Sequence, residues 1–150
     1  MIIWIASYPK SGNTWLRSLI SSYYFSKDKF NLSDLKTIPN FSVNDFINDN
    51  LIIQNGVDVA KQWLNVQREI NKNYKKTLFF KTHNACVAIN NNLFTDSNNT
   101  AGCIYVVRDP RNVITSYKNF EKKTYEEILY HMKNKEAYLF SQKKVEFKSF

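Results

Sequence analysis

Residues 2 to 7, Ile-Ile-Trp-Ile-Ala-Ser, form a short Ile-rich apolar run closed off by Pro9 and Gly12. Such a run, without polar alternation and bounded by turn formers, predicts a buried strand of a parallel sheet. From Thr14 to Phe25 the apolar residues fall at helical spacing, so strand, turn and helix open a βαβ unit. Residues 27 to 41, with Pro39 among them, read as a loop. Ser42 followed by Asp45 reads as a helix N-cap, and Val57 to Tyr74 carries a helical pattern on Ala60, Trp63, Leu64, Val66 and Ile70.

Two further apolar runs, Thr77 to Thr82 and Gly102 to Val107, predict strands that finish on His83 and Arg108. Asp109-Pro110 then supplies a cap and a first helical residue for a helix from Arg111 to Phe120. Thr124 with Glu127 makes a capping box for a last helix reaching about Phe140, while the basic tail from Ser141 to Phe150 has no decisive pattern. No internal repeat or Gly/Ser linker divides the chain. The expected fold class is α/β, one domain over residues 1–150 with three α/β/α layers around a central parallel sheet.

Composition narrows the function. At 150 residues, 43% apolar and 15% aromatic, the chain has enough material for one core and is too rich in apolar residues for a disordered segment. The 21 Lys and Arg exceed the 13 Asp and Glu, giving a net charge of +8 and pointing to an anionic partner. Cys86 and Cys103 lack metal or redox spacing and read as two reduced, buried thiols. The first apolar run is too short for a signal peptide or membrane span, so a cytoplasmic location is the expectation.

In open α/β sheets ligands gather outside the carboxyl ends of the strands, where turns and helix N-termini converge. Three segments stand at such ends. Tyr8-Pro9-Lys10-Ser11-Gly12-Asn13-Thr14-Trp15 joins strand to helix; Gly12 permits close backbone approach to a phosphate, Ser11 and Thr14 add donors, Lys10 a mobile cation and Trp15 an aromatic face. It is not a nucleoside-triphosphate loop of the G-x-x-x-x-G-K-[ST] type, because Asn13 and not Lys follows Gly12. At the second end, Arg108 offers a bidentate phosphate contact, with Ser116 about two helical turns on. Arg108 and Arg111 alternatively pair with Asp109 on the surface. At the third, Lys81-Thr82-His83 ends on an imidazole suited to proton transfer. His131, inside the last predicted helix, reads as a solvated side chain.

Tyr8 to Trp15 resembles, position by position, the 5′-phosphosulfate loop of the sulfotransferases, Y-P-K-S-G-[TN]-[TN]-W. Arg108 with Ser116 eight residues later resembles that family's 3′-phosphate segment, and Lys81-Thr82-His83 its K-T-H segment. The resemblance implies a P-loop-NTPase-like sheet and transfer of a sulfonate from 3′-phosphoadenosine 5′-phosphosulfate (PAPS) to a hydroxyl or amine, releasing adenosine 3′,5′-bisphosphate. It implies His83 as base, Lys10 on the bridging oxygen, Lys81 on the sulfonate, the amides of Ser11, Gly12, Asn13 and Thr14 on the 5′-phosphate, and Trp15 on adenine. It implies no metal and no nucleic acid, with a small-molecule or carbohydrate acceptor as partner.

The resemblance runs from Met1 to about Phe120, a cofactor-binding core, ahead of a helical and basic tail at 121–150. Members of the family carry a further R-K-G-x-x-G-x-W-type segment, whereas no Gly follows Thr124 here, so the chain is expected to be an N-terminal portion. A shortened sheet implies an uncovered strand edge and possible homo-oligomers. Two other classes touch parts of the sequence: a P-loop phosphoryl-transfer kinase, against which the missing Gly-Lys-Thr stands, and a non-enzymatic basic module, whose lysines lack interleaved aromatics.

Overall fold

The computed structural model describes residues 1–25, 31–46, 55–134, 139–141 and 144–146. In chain order these form β1 (Ile2–Ser7), α1 (Asn13–Tyr24), α2 (Gly56–Asn73), β2 (Leu78–Thr82), β3 (Ala88–Ile89), β4 (Asn92–Leu93), β5 (Thr100–Val106), α3 (Pro110–Glu121), α4 (Tyr125–Lys133), β6 (Leu139–Ser141) and β7 (Lys144–Glu146). The main sheet is parallel, in the order β2-β1-β5. The apolar run of β1 is central and has strands on both edges, which is why it shows no polar alternation. All three strands therefore end on one side of the sheet.

Side chains alternate across β1 and β2 and find different partners on the two faces. Ile2, Trp4 and Phe80 point into the main core with Val59, Ala60, Trp63, Val66 and Ile70 of α2. Trp4 packs edge-on against Phe41 with centroids 5.1 Å apart, and Trp63 edge-on against Phe94 at 5.3 Å. On the opposite face Phe79 meets Tyr24 of α1, with centroids 6.5 Å apart. Helices thus flank the sheet, and the α/β architecture expected from the sequence is the one observed.

Several local expectations are corrected. Ser42 starts only a single 3-10 turn, Val43–Asp45, and its side chain makes no cap bond. The cap that matters is Asn55, whose side chain accepts from Val57 and Asp58 and starts the core helix α2. Within the predicted loop, Leu32–Thr37 is a 3-10 helix with Asn31 and Asp34 forming a capping box. The last helix stops at Lys133, short of Phe140: Asn134 is already extended backbone, and Leu139–Ser141 pairs with Lys144–Glu146 as β6 and β7, Phe140 opposite Val145. The β3-β4 hairpin turns on Asn90 and Asn91, both at positive φ, as a two-residue primed turn requires.

Cys86 and Cys103 are free, as expected, but both are exposed and not buried. Cys86 lies in the segment between β2 and β3, and for Cys103 the reason is coverage: β5 is the outer strand of the sheet, and Ile104, Tyr105 and Val107 are exposed along with it. The uncovered strand edge expected from the sequence is therefore present among the described residues. None of the described helices is long and apolar enough to cross a membrane.

Candidate functional site

The turn from β1 into α1 is built on left-handed backbone. Lys10 has φ 66° and Gly12 φ 107°; at Gly12 any larger residue would be strained. Asn13 is 5% exposed and ties this turn to the strand, its Nδ2 donating to the Ile5 carbonyl at 2.9 Å and to Ser7 Oγ at 3.1 Å. Its Oδ1 is buried without a partner, a consequence of aiming both donors at β1. Asn13 thus holds the loop with its side chain and can face a ligand only with its backbone amide.

Among the described residues four α-helices follow a cap residue, and of these α1 alone has no side chain taking the cap. Asn55, Asp109 and Thr124 accept from the first amides of α2, α3 and α4, whereas Gly12 has no side chain to offer and the first turn of α1 contains no acid. The positive end of α1 is therefore neither capped nor neutralised by its own residues.

That helix start opens into a cavity of about 590 Å³ lined by Lys10, Gly12, Asn13, Thr14, Trp15, Lys81, His83, Arg108 and Ser116, from all three strand ends. Nine of the ten residues singled out from the sequence meet here. The tenth, Ser11, is 7% exposed and lines a separate neighbouring cavity of about 280 Å³ with Tyr8, Arg108 and Val113. Arg108 donates from Nη1 to the Lys10 carbonyl at 3.1 Å, so the end of β5 is joined to the loop after β1. Arg111 takes the surface role instead, held on Asp109 at 2.6 Å, and these bonds lower the Asp109 pKa. Trp15 stands at 78% exposure, with its ring open to stacking.

His83 is anchored by β1. Its Nδ1 lies 2.7 Å from the Ser7 carbonyl and 3.3 Å from Ser7 Oγ. A carbonyl oxygen only accepts, so Nδ1 carries the proton and the basic lone pair of the neutral ring is on Nε2. Because Asn13 also donates to Ser7 Oγ, one residue connects the loop to the imidazole. His131, as expected, is on the surface, 3.3 Å from Lys123 Nζ.

Other contributors have no motif. Lys10 Nζ sits over the Phe120 ring, 4.1 Å from its centroid, and Phe120 lines the same cavity. Arg17, also in the lining, donates to the carbonyls of Leu35 at 2.9 Å and Ile38 at 2.6 Å. Burial lowers its pKa, yet a guanidinium remains charged at any working pH. Burial also raises the Tyr8 phenol well above its ordinary range, and its ring packs edge-on against Tyr117. The helical spacing of Phe120 was visible in the sequence; its contact with Lys10, 110 positions earlier, could come only from the fold.

A comparison with curated proteins finds no significant match. A family model for the sulfotransferase domain matches residues 2–150, from β1 past the hairpin that follows α4. Taken with the parallel sheet and the basic cavity at its carboxyl end, that match means the chain belongs to the sulfotransferase family.

Proposed function

We propose that this chain transfers a sulfonate group from PAPS to a hydroxyl or amine of a small-molecule acceptor, in line, leaving adenosine 3′,5′-bisphosphate. The observation that carries this reading is the meeting of Lys10, Lys81, Arg108 and His83 in one cavity at the uncapped start of α1. The donor set fits the donor's chemistry. Amides at the start of α1 and the Lys10 ammonium suit the 5′-phosphate, the Arg108 guanidinium with the Ser116 hydroxyl suits the 3′-phosphate, and the exposed Trp15 ring suits adenine. PAPS supplies a sulfonate already activated by its bond to phosphate.

The residues of the chain do the rest. His83 accepts the acceptor's proton on Nε2 as the acceptor oxygen or nitrogen approaches sulfur, and the Ser7 carbonyl holds the ring in that tautomer. Lys10 neutralises charge on the phosphate oxygen as its bond to sulfur breaks, and Lys81 faces the sulfonate oxygens. Lining by cations at three strand ends lets positioning and charge neutralisation supply most of the catalysis.

Calorimetric titration with adenosine 3′,5′-bisphosphate tests the site. Saturable binding is expected, weakened about 10- to 100-fold by Lys10→Ala or Arg108→Ala, the range for losing a charged hydrogen bond. Absence of binding by the unmodified chain would overturn the reading, as would tighter binding of Mg²⁺-ATP. His83→Ala should retain the bisphosphate while lowering sulfonate transfer about 10²- to 10⁴-fold, the usual range for a lost general base.

A further inference from the structure

The chain holds two cysteines, and the fold turns both toward one space. On the α2 side of the sheet a cavity of about 530 Å³ is walled by Trp4, His83, Cys86, Phe94, Cys103 and Tyr105 among others. Cys103 reaches it from the outermost strand: in the parallel register it stands beside Trp4, and neighbours in register share a face. Cys86 reaches it from the irregular stretch 83–87 between β2 and β3, three residues after His83. Both cysteines are also exposed, so small solutes meet the thiols from solvent.

Two thiols in this wall do not make a metal centre. Among the described residues no group of three or more His, Cys, Asp or Glu could hold an ion. The wall also contains no lysine, arginine or carboxylate, so a negative charge placed on sulfur has little to pair with. Burial raises the Cys103 pKa, the charge of an ionised Cys86 raises it further, and a backbone hydrogen bond at Ala6 acts the other way. The two sulfurs are therefore near enough to feel one another. Two thiolates side by side repel, whereas a disulfide carries no charge and suits an apolar wall.

We propose that Cys86 and Cys103 are a thiol–disulfide modification site, at which a hydroperoxide oxidises the pair to an intramolecular disulfide that spans the cavity and closes the approach to His83 from the α2 side. The bond depends on the two cysteines alone; its effect on catalysis rests on the sulfonate-transfer reading. With hydrogen peroxide as oxidant the step balances. One sulfur attacks the peroxide O–O bond, giving a sulfenic acid and water, and the second sulfur displaces the hydroxyl of that acid as another water. Both thiol protons leave in the water, and two electrons pass from sulfur to the peroxide. A disulfide requires Cα atoms about 4.4–6.8 Å apart, and meeting that separation falls to the stretch 83–87, which lies outside the strands. The bridge then ties the stretch headed by His83 to the edge strand β5.

The test reads the bond and the activity separately. The full chain is treated with equimolar hydrogen peroxide and digested without reductant. A linked pair of peptides holding Cys86 and Cys103 is expected, two hydrogens lighter than its separate halves, with both free thiols lost and both restored by dithiothreitol. Sulfonate transfer should fall more than about tenfold in the oxidised chain and recover on reduction, with adenosine 3′,5′-bisphosphate affinity unchanged. Cys86→Ser and Cys103→Ser should each keep the activity of the reduced chain and lose its sensitivity to peroxide. Thiols that oxidise singly to sulfinic acid, or bridges that form only between two chains, overturn the inference and leave the donor site standing. A complete Cys86–Cys103 bond with undiminished transfer overturns it too, since the cavity would then not be closed. A bond that forms in a chain whose reduced state binds no bisphosphate and transfers no sulfonate supports the thiol site and overturns the sulfonate-transfer reading instead.

Discussion

Lys10 is the residue on which most of the site's local physics converges. Its left-handed backbone stores strain of order 1 kcal/mol, its carbonyl takes a hydrogen bond from Arg108, and its ammonium rests over Phe120. The ring holds the cation at the cavity without introducing a competing negative charge. A cation–π contact at an exposed site is worth about 0.5–1 kcal/mol, all of which must be given up if the ammonium moves to a phosphate as proposed. Phe120→Leu is therefore expected to tighten adenosine 3′,5′-bisphosphate binding by about two- to fivefold in calorimetry, the equivalent of that contact. Weaker binding in the variant would show that the ring touches the nucleotide directly.

At the scale of elements, the helix that carries the core depends on a cap its sequence does not advertise. Asn55-Gly56 has the look of a turn, but Asn55 accepts two amide bonds at the start of α2, the helix that delivers Trp63, Val66 and Ile70 to Trp4 and Phe80. Asn55→Ala should cost about 1 kcal/mol and lower Tm by roughly 2–4 °C in a chain of this size. Ser42→Ala removes no cap bond and should shift Tm less. A truncation of the core itself is graver: Trp63→Ala should cost about 3–5 kcal/mol, seen as a lowering of the denaturation midpoint by about a fifth or more, because native stability is itself only about 5–15 kcal/mol.

The same contrast explains what the sequence disclosed. The apolar runs of β1, β2 and β5, the caps Asp109 and Thr124, and the nine singled-out residues that meet in the basic cavity were legible because each is written in contiguous residues. The exposure of Cys103, the tautomer of His83 and the contact of Phe120 with Lys10 were not. They depend on which strand is outermost, on a backbone carbonyl with no side-chain signature, and on packing between distant segments. The β3-β4 hairpin had a signal in Asn90-Asn91, whose residue type tolerates the positive φ a tight turn needs, but it lay inside a run of three asparagines.

Across the whole molecule, the charge of +8 and the cations of the cavity make separable contributions to anion binding. Lys75 and Lys76 are exposed and precede β2, whereas His83 follows its other end, so a strand length of roughly 16 Å or more separates these lysines from the cavity. At 0.15 M ionic strength the Debye length is about 8 Å and their field at the site is screened; at 0.01 M it is about 30 Å and their field reaches it. Lys75→Glu with Lys76→Glu should therefore weaken adenosine 3′,5′-bisphosphate binding and slow its association at 0.01 M salt, yet leave both unchanged at 0.15 M. Arg108→Ala should weaken binding at either salt concentration, because its loss removes a direct partner and not a distant field. Equal salt sensitivity of the two variants would mean that the anion is held by the general basic surface, and that the convergence of cations at the strand ends does not define the binding site.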